Sequence, residues 1–325
     1  MTPGFSRVFV TGGSGFIGTN LVQELLRRRI TTRSFDCKPP LDANHEFVHT
    51  PGDVLDRAAI CRAISDFQPD FVVHLAARCD LRGQSIDEYP ENTRGVLNVI
   101  EALKESTSLR RVIFASSRYV HVNEVQPVRD DEYSPFTAYG ASKAEGERIV
   151  RQNLTRVPWV IVRPTSIWGP WFDVPYKGFF HAVRRGVYLH PKSERIFKSY
   201  GYVGNVVHQL LTFLQAEERA VQGRVFYTAD YIPIEMRDMA ERIRRQFDAP
   251  PIRQTPLFML KGLARAGDLL RRFGVYNPPL SSFRLKNLRT QMVYDLSATA
   301  EIVGPSPFGL DAGIAKTVEW MKVHG

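Results

Sequence analysis

The sequence is poor in cysteine, with only Cys37, Cys61 and Cys79 among its 325 residues. An odd number of cysteines without the spacing of paired metal ligands is typical of a protein from a reducing compartment, and it argues against a zinc site. We therefore expect no bound metal.

Long apolar runs are absent as well. No stretch reaches the roughly 18 apolar residues that a membrane-spanning helix needs, and the N-terminal residues enter a first apolar strand without the pattern of a signal peptide. Hydrophobic residues make up 43% of the chain and charged residues 24%, the balance of a globular protein with a large core. The sequence thus predicts a cytoplasmic protein.

Acidic residues are scarce only in the second half of the chain. Residues 1–150 carry 18 Lys and Arg against 20 Asp and Glu, a net charge of −2, whereas residues 151–325 carry 25 against 14, a net charge of +11. The basic half is suited to attract an anion such as a nucleotide diphosphate, although a solvated basic surface explains the charge equally well. Nucleic acid is not an expected partner, because no recognisable nucleic-acid-binding motif is present.

Residues 8–18 form an apolar strand that leads into a glycine-rich turn and an amphipathic helix. Gly12 permits the tight turn, Gly15 lets the backbone approach a pyrophosphate, and Gly18 lets helix and strand pack closely. The free N–H groups of the helix that begins near Gly15 face the anion. The pattern predicts a dinucleotide-binding loop, with an ordinary strand-to-helix turn as the competing interpretation.

Asp36 ends the next apolar run, 18 residues after Gly18. A carboxylate at this place accepts hydrogen bonds from the adenosine ribose and repels a 2′-phosphate, so NAD is the expected cofactor. Lys38 lies close by and leaves NADP as the alternative.

From Arg7 to about Arg163, short apolar runs alternate with amphipathic stretches, the pattern of βα units around a parallel sheet. Right-handed crossovers make this an α/β fold, a doubly wound Rossmann-type sheet with its ligand crevice at the carboxyl ends of the strands. Strands are expected at residues 7–11, 32–36, 46–49, 70–75, 110–116 and 158–163. The nucleotide-binding domain is expected over 1–170, completed by about 198–230, and a smaller, mostly helical substrate-binding part over 171–197 and 231–325.

Polar residues follow the predicted third and fourth strands. Asp53 is expected to accept a hydrogen bond from the adenine amino group, and Asp56 to cap the next helix. His74, with apolar neighbours, is expected to be a hydrogen-bonded core residue, while the small residues after it allow close approach to the cofactor.

Strand five delivers Ser116 and Ser117 to the edge of the crevice, and Tyr139 and Lys143 lie four residues apart on one face of a predicted helix. A nearby ammonium stabilises phenolate, so Lys143 is expected to lower the pKa of Tyr139 and make it a general acid or base. Ser117 is expected to hydrogen-bond the same substrate oxygen. A Tyr and a Lys at this spacing are common on ordinary helix surfaces, so the interpretation depends on the glycine loop upstream.

Taken in order, these motifs resemble the extended short-chain dehydrogenase/reductase family, in its nucleotide-sugar epimerase and dehydratase branch. The resemblance covers roughly residues 5–205 and rests on TGGSGFIG, Asp36, GDV, HLAA, Asn92 in ENTRGVLNV, the ASS after strand five, YGASK and RPTSIWGP. It implies that Tyr139 transfers the proton, that Lys143 tunes it and binds the nicotinamide ribose, and that Ser117 contacts the substrate oxygen.

The expected cofactor contacts combine the residue patterns with this resemblance. They are Gly12, Gly15, Phe16, Ile17, Gly18, Asp36, Asp53, Val54, Leu75, Ala76, Ala77, Asn92, Ser116, Tyr139, Lys143, Arg163 and Pro164. The resemblance implies that the last two belong to the wall that joins the cofactor and substrate sites.

Members of this branch oxidise a sugar hydroxyl with NAD and differ in the fate of the ketone. The 4,6-dehydratases carry an Asp-Glu pair directly after the catalytic hydroxyl residue, where this chain has Arg118 and Tyr119. The resemblance therefore implies an NAD-dependent nucleotide-sugar epimerase. The alternatives are a dehydrogenase or ketoreductase for a sugar, steroid-like or flavonoid-like alcohol and, from another class, a non-catalytic dinucleotide-binding protein. A homodimer through the helices around 88–105 and 137–152 is implied as well.

The expected substrate contacts are Cys79, Arg118, Thr165, Arg195 and Arg284. Cys79 follows the HLAA strand; some relatives use a cysteine as acid or base beside the ketone, whereas a free cysteine is more often a small packed residue. Arg195, together with Lys198, is a candidate partner of the pyrophosphate, and Arg284 is a spare cation for it.

Residues 256–273 form a basic amphipathic helix. We expect it to be buried against the substrate-binding part, because Gly262 and Gly267 suit close packing. An anionic membrane or a polyprenyl-linked substrate is the alternative contact.

Overall fold

The computed structural model describes residues 7–122, 127, 129–154, 157–173, 175–274 and 280–324. The first strand of the sheet is apolar from Val8 to Val10 because both of its faces are buried. Val8 and Val10 pack into one hydrophobic cluster and Phe9 into a second, and all three are fully buried. Since successive side chains of a strand point to opposite faces, both faces of the sheet are covered.

The strands are numbered along the chain. They are β1 Arg7–Thr11, β2 Thr31–Asp36, β3 His49–Pro51, β4 Phe71–His74, β5 Arg111–Ala115, β6 Trp159–Pro164, β7 Ser166–Trp168, β8 Leu189–Pro191, β9 Phe197–Lys198, β10 Tyr200–Tyr202, β11 Arg224–Thr228, β12 Ile234–Glu235 and β13 Arg253–Thr255.

The helices are numbered in the same way. They are α1 Phe16–Arg27, α2 Arg57–Phe67, α3 Arg94–Leu103, α4 Ala138–Asn153, α5 Tyr176–Arg184, α6 Val203–Gln215, α7 Glu218–Val221, α8 Met236–Phe247, α9 Leu257–Arg272, α10 Ser282–Arg289, α11 Ser297–Val303 and α12 Leu310–His324.

Seven strands form one parallel sheet in the order β11-β6-β5-β4-β1-β2-β3. The chain order reverses between β1 and β4, which is the switch point where a crevice opens at the carboxyl ends of a doubly wound sheet. This topology confirms the predicted Rossmann-type fold. The region outside the sheet is mostly helical and contains three two-stranded ladders, β10–β7, β12–β9 and β13–β8.

The third strand was predicted wrongly, whereas the other five predicted strands match within one residue. Residues 43–48 form a 3₁₀ helix, and the strand begins only at His49. The Asp42 side chain accepts a hydrogen bond from the backbone N–H of Asn44, so a local turn competes with the extended conformation.

The basic amphipathic helix lies where it was predicted, as α9, and its expected burial holds for one face only, on which Leu260 and Ala264 are buried. Phe258 is 76% exposed and Leu263 48% exposed. Gly267 is buried, while a Cβ at Gly262 would meet nothing within 4 Å, so only one of the two glycines packs closely. No helix in the described part of the chain is long and apolar enough to cross a membrane.

Candidate functional site

The glycine loop joins β1 to α1 through positions that exclude side chains. Gly12 has a φ of +73°, and a Cβ there would lie 2.5 Å from the backbone nitrogen of Ala76, at the end of the neighbouring β4. A Cβ at Gly18 would overlap the carbonyl oxygen of Gly12. Gly12 therefore fits the turn and Gly18 the close approach of helix to loop, as the sequence predicted.

The start of α1 fits the pyrophosphate of a dinucleotide. The helix begins after Gly15 without a side-chain cap and without an acidic residue in its first turn. A Cβ at Gly15 would meet only the Gly12 carbonyl oxygen, at 3.2 Å, so the remaining space is open. Uncapped N–H groups, including those of Phe16 and Ile17, are suited to bind phosphate oxygens there.

Asp36 lies at the end of β2 and is tied to the glycine loop. One carboxylate oxygen accepts a hydrogen bond from the backbone N–H of Ser14 at 3.0 Å, and the other accepts one from Lys38 N–H at 2.9 Å. Each oxygen retains a lone pair for a further donor such as a ribose hydroxyl. Asp36 therefore orders the phosphate loop in addition to its predicted role.

The packing of α4 brings the catalytic candidates together. Thr137 caps the helix by accepting a hydrogen bond from the N–H of Gly140 at 2.9 Å. A Cβ at Gly140 would overlap the carbonyl oxygen of Tyr119, so α4 lies directly against the turn that follows β5. This contact places Tyr139, on the first turn of α4, beside Ser117 at the end of β5.

The hydroxyl of Tyr139 interacts with the Ser117 hydroxyl and the Cys79 thiol. Burial raises the pKa of Tyr139 well above its usual value, and the Ser117 hydrogen bond opposes the rise. The expected net decrease in this pKa is wrong for the protein by itself, because the loss of hydration on burial outweighs the charges nearby. Tyr139 is therefore a phenol at neutral pH.

Lys143 lies on the same face of α4, one turn after Tyr139. Burial lowers the pKa of its ammonium, while the charges of Cys79 and Glu147 oppose the decrease. Glu147 was not anticipated as part of this environment. The sequence could have indicated it, because Tyr139, Lys143 and Glu147 are each four residues apart and therefore lie on one face of the helix.

Cys79 lies on the wall of the crevice. Its side chain is solvent-exposed, yet protein atoms surround it closely enough that burial raises the pKa of its thiol. A side chain that faces the open space of a deep crevice is both exposed to solvent and closely surrounded by protein atoms. The structure thus places Cys79 next to Tyr139 and Lys143, as the predicted substrate role requires.

Asn92 holds the segment before Cys79 against α4. Its amide nitrogen donates to the Arg78 carbonyl at 3.0 Å and to the Ser142 hydroxyl at 2.9 Å, and its amide oxygen accepts from Arg78 N–H at 3.1 Å. The side chain is 1% exposed. Asn92 is therefore a positioning residue for the crevice wall. Its side-chain amide, which was expected to bind the cofactor, is engaged in these three hydrogen bonds.

Two other predicted polar contacts, Asp53 and Thr165, and the predicted core residue His74 are engaged in local structure. Asp53 accepts a hydrogen bond from the N–H of Leu55 at 2.9 Å. The Thr165 hydroxyl donates to the Ser199 carbonyl at 2.7 Å, which joins the end of β6 to the C-terminal part. His74 lies 2.7 Å from the Thr11 hydroxyl, and burial together with the Lys143 charge lowers its pKa to about 3, so it is a neutral core residue, as expected.

The small residues at the predicted strand ends flank the crevice. Leu75 and Ala76 lie beside the glycine loop, since Leu75 N–H donates to the Thr11 carbonyl and Ala76 N–H reaches the Thr11 hydroxyl. Ala77 and Pro164 are half-buried, Val54 is 5% exposed and Ser116 is 8% exposed. The Ser116 hydroxyl has no hydrogen-bond partner among the described residues, which is consistent with a cofactor contact.

Arg163 does not contribute its side chain to the crevice. It is fully buried, and its guanidinium donates to both carboxylate oxygens of Glu147, at 2.7 and 2.9 Å, and to the Asp130 carbonyl at 2.6 Å. The prediction that this side chain contacts the cofactor is wrong. A buried guanidinium requires a carboxylate partner, and here that partner is Glu147 on α4.

Arg118 lies behind Ser117 among tyrosine rings. Its guanidinium is 4.3 Å from the centre of the Tyr119 ring and 3.5 Å from the Tyr294 hydroxyl. Burial and the Arg118 charge lower the pKa of Lys198 to about 8, and the Lys198 ammonium donates to the Asn287 carbonyl at 2.6 Å. Two cations are therefore close together beside the catalytic candidates.

Arg195 and Arg284 do not join this group. Arg195 is exposed, stacks on Phe197 at 5.1 Å and lines a polar cleft with Glu235 and Arg237, away from Tyr139. Arg284 is exposed on α10. The crevice geometry therefore does not support the substrate contacts predicted for Arg195 and Arg284. The regular βα pattern ends near Pro170, so it did not predict where the later strands and helices place these side chains.

The chain is similar to members of a known enzyme family. The model of the "NAD dependent epimerase/dehydratase family" matches residues 8–229. A 3β-hydroxysteroid dehydrogenase/Δ5→4-isomerase of Mycobacterium tuberculosis is 27% identical, with 94% of this chain and 88% of that protein covered.

A second relative and a solved structure match nearly from end to end. The N-acetyl-α-D-glucosaminyl-diphospho-ditrans,octacis-undecaprenol 4-epimerase of Escherichia coli O157:H7 is 27% identical, with 98% of this chain and 96% of that protein covered. The Thermus thermophilus UDP-glucose 4-epimerase in complex with NAD superposes with a TM-score of 0.69 at 22% identity, over 97% of this chain and 99% of that one. The last likeness is evidence for the fold alone.

Proposed function

Because the chain belongs to the NAD-dependent epimerase/dehydratase family, we propose that it is a nucleotide-sugar epimerase. NAD is the cofactor of the family, which confirms the cofactor predicted from the glycine loop and Asp36. The proposal concerns the reaction: transient oxidation of one sugar hydroxyl to a ketone, followed by return of the hydride to the opposite face.

One observation carries this proposal. The Tyr139 hydroxyl interacts with the Ser117 hydroxyl and with the Cys79 thiol, which also interacts with Lys143, and Arg118 and Tyr119 occupy the positions at which the resemblance places the acidic pair of dehydratases. Neither Arg118 nor Tyr119 has a carboxyl group that could serve in the removal of water. Return of the hydride to either face needs no further acid–base residue, and this favours epimerisation.

The residues of this chain act on the substrate oxygen. When bound, NAD supplies a cationic ring that accepts a hydride from the carbon and returns it. Tyr139 holds or moves the proton at the substrate oxygen, and Ser117 donates a hydrogen bond to it. The Lys143 ammonium, four residues along α4, favours the phenolate whenever Tyr139 must accept the proton.

The cations near the site support an anionic substrate. Arg118 and Lys198 are 5% and 3% exposed, and their mutual repulsion is relieved when an anion lies between or in front of them. A nucleotide diphosphate supplies such charge, and the basic second half of the chain raises its local concentration. The end-to-end similarity to the undecaprenol-linked 4-epimerase supports the same reaction on a diphosphate-linked sugar.

A net dehydrogenase or ketoreductase is the second candidate. The similarity to the 3β-hydroxysteroid dehydrogenase favours it, and so does the cluster of tyrosine rings around Arg118, formed by Tyr119, Tyr176 and Tyr294, with Tyr200 packed against Tyr176. Net oxidation would release NADH in each turnover, whereas an epimerase retains its dinucleotide and leaves no NADH.

The purified protein should be mixed with individual nucleotide sugars in deuterated water and followed by NMR together with absorbance of NADH. We expect inversion at one ring carbon, no accumulation of NADH and NAD that survives purification. Stoichiometric NADH would favour the second candidate. Deuterium at the carbon beside the ketone would implicate Cys79 as a base, and NAD binding without turnover of any sugar or alcohol would favour the non-catalytic alternative.

We also propose that the enzyme is a cytoplasmic homodimer joined through α3 and α4. These helices pack against each other beside the site, so a dimer through them would stiffen the helix that bears Tyr139 and Lys143. Sedimentation velocity should give the mass of a dimer, and substitution of the exposed Leu97 by Glu on α3 should give that of a monomer.

A further inference from the structure

The proposed reaction leaves the exposed face of α9 without a use. Five of its large apolar side chains and that of Phe273, the residue that caps its C-terminus, are between 47% and 79% exposed; the five are Phe258, Met259, Leu263, Leu269 and Leu270. On a helix with about 3.6 residues per turn, they fall within an arc of about 140°. The small residues Gly262 and Ala266 lie between them and are also exposed, so the apolar arc is continuous.

This arc is not the face by which α9 is attached to the protein. Leu260 and Ala264 are buried and form a small separate cluster with Leu285 of α10. Leu189 and Leu280 pack against the same cluster. The helix therefore has two apolar faces, one already covered by α10 and one facing outward, and an ordinary surface helix needs only the first.

Cations border the outward face. Lys261, Arg265 and Arg272 are exposed and fall along one edge of the apolar arc when the helix is viewed down its axis. Residues 257–289 contain seven Lys and Arg and a single acidic residue, Asp268. Within the described residues, none of these three cations forms a salt bridge.

We propose that the outward face of α9, with the adjoining α10, binds the surface of an anionic phospholipid bilayer. The apolar arc would lie at the boundary between headgroups and acyl chains, and the bordering cations would contact lipid phosphates. Phe283, 63% exposed on α10, extends the apolar part of this surface.

Charge complementarity favours a bilayer over a second copy of the chain. Two copies joined through α9 would bring together two segments with the same excess of six positive charges, which repel each other. An anionic bilayer supplies opposite charge and an apolar layer at once. Because no described helix can span the membrane, the contact is peripheral.

The proposal can be tested by flotation of the full chain with vesicles of phosphatidylcholine, with or without phosphatidylglycerol. We expect the protein to float with the anionic vesicles and to remain in the soluble fraction with phosphatidylcholine alone. Added salt should weaken the binding, since exposed charges are screened within about 10 Å at 0.1 M ionic strength.

Two sets of substitutions separate the apolar and charged contributions. A variant combining Leu263→Gln, Leu270→Gln and Phe273→Gln should lose flotation. Replacement of Lys261, Arg265 and Arg272 by Gln should reduce vesicle affinity by about fivefold for each charge.

The control replaces three exposed apolar residues elsewhere, Phe47, Ile232 and Val323, by Gln; they are 78%, 81% and 74% exposed, more than Leu263 and Leu270 at 48% and 47%. This variant should float like the unmodified protein. A cooperative thermal unfolding transition and retained NAD binding verify that every variant is folded.

Two outcomes would overturn the proposal. One is equal distribution of the unmodified protein with both kinds of vesicle. The other is conversion of a dimer into a monomer by the Leu263, Leu270 and Phe273 substitutions without a change in vesicle binding, which would assign the face to a second copy. Neither readout measures epimerisation, so the membrane proposal and the proposed function fail independently.

Discussion

Glu147 of α4 and Arg163 of β6 form an ion pair in which both side chains are only 1% exposed, with a nitrogen–oxygen distance of 2.7 Å. The Tyr133 hydroxyl donates to the same carboxylate at 3.1 Å. The pair fastens the helix that bears the catalytic candidates to the central sheet. Its carboxylate is also one of the two charges that limit the decrease in the pKa of Lys143.

Replacement of Glu147 by Ala should destabilise the protein strongly, because it leaves the Arg163 charge buried without its partner. We expect the free energy of unfolding to fall by about 3–5 kcal/mol, measured by denaturant titration. The control is Glu217→Ala, which removes the exposed pair with Arg219 and should cost less than about 1 kcal/mol. Equal effects of the two substitutions would contradict the anchoring role.

Substitution of Gly18 by Ala should weaken NAD binding, because the added Cβ overlaps the Gly12 carbonyl oxygen and displaces α1 from the loop. Overpacking of this kind costs about 1–3 kcal/mol, or roughly thirtyfold in affinity at the middle of that range. Titration calorimetry with NAD measures the effect.

The matched control for the glycine loop is Gly262→Ala, where a Cβ meets nothing within 4 Å. It should leave NAD affinity unchanged and raise the free energy of unfolding by up to about 1 kcal/mol, since Ala favours a helix interior. Unchanged NAD affinity in the Gly18 variant would argue against the loop as the pyrophosphate site.

Replacement of Tyr139 by Phe should lower kcat by about a hundred- to ten-thousand-fold, because the substrate oxygen loses its proton-transfer group. NAD binding should persist, since the glycine loop is untouched. The control, Tyr188→Phe, removes another buried hydroxyl, one that lies 3.0 Å from a ring nitrogen of His190. Steady-state rates that do not distinguish the two variants would exclude Tyr139 as the catalytic group.

The pH dependence of kcat/KM should show the loss of the positive charge of Lys198. Burial and Arg118 lower the pKa of Lys198 to about 8, so its positive charge is present below this pH and is lost above it. For an anionic substrate, kcat/KM should therefore decrease as the pH rises through about 8, and this step should vanish in Lys198→Met. The exposed Lys192→Met serves as control; a step that survives in Lys198→Met belongs to another group.

Local sequence determined the glycine loop and the spacing on α4. Gly12 has a positive φ and Gly18 packs against the Gly12 carbonyl oxygen, so glycine is required at both positions within seven consecutive residues. Likewise, Tyr139 and Lys143 share a face of any helix that contains them both. These features were predictable because short-range geometry decides them.

The sequence did not predict which side chains form hydrogen bonds and ion pairs with each other. Arg163 follows four buried strand residues, and the sequence does not reveal that its guanidinium meets Glu147 rather than the crevice. The pKa of Tyr139 was predicted in the wrong direction for a related reason. A four-residue spacing gives the nearby charge, but the burial that dominates this pKa depends on what packs over the helix.

The sequence by itself determined a doubly wound NAD-binding sheet, the catalytic candidates at its edge and the amphipathic character of α9, because each follows from periodicity or spacing. Only the tertiary structure decided that Cys79 and Ser117 meet at Tyr139, that Arg118 lies near Lys198, and that the apolar arc of α9 faces outward. These relationships join residues far apart in the chain, and their contacts exist only after the elements have packed.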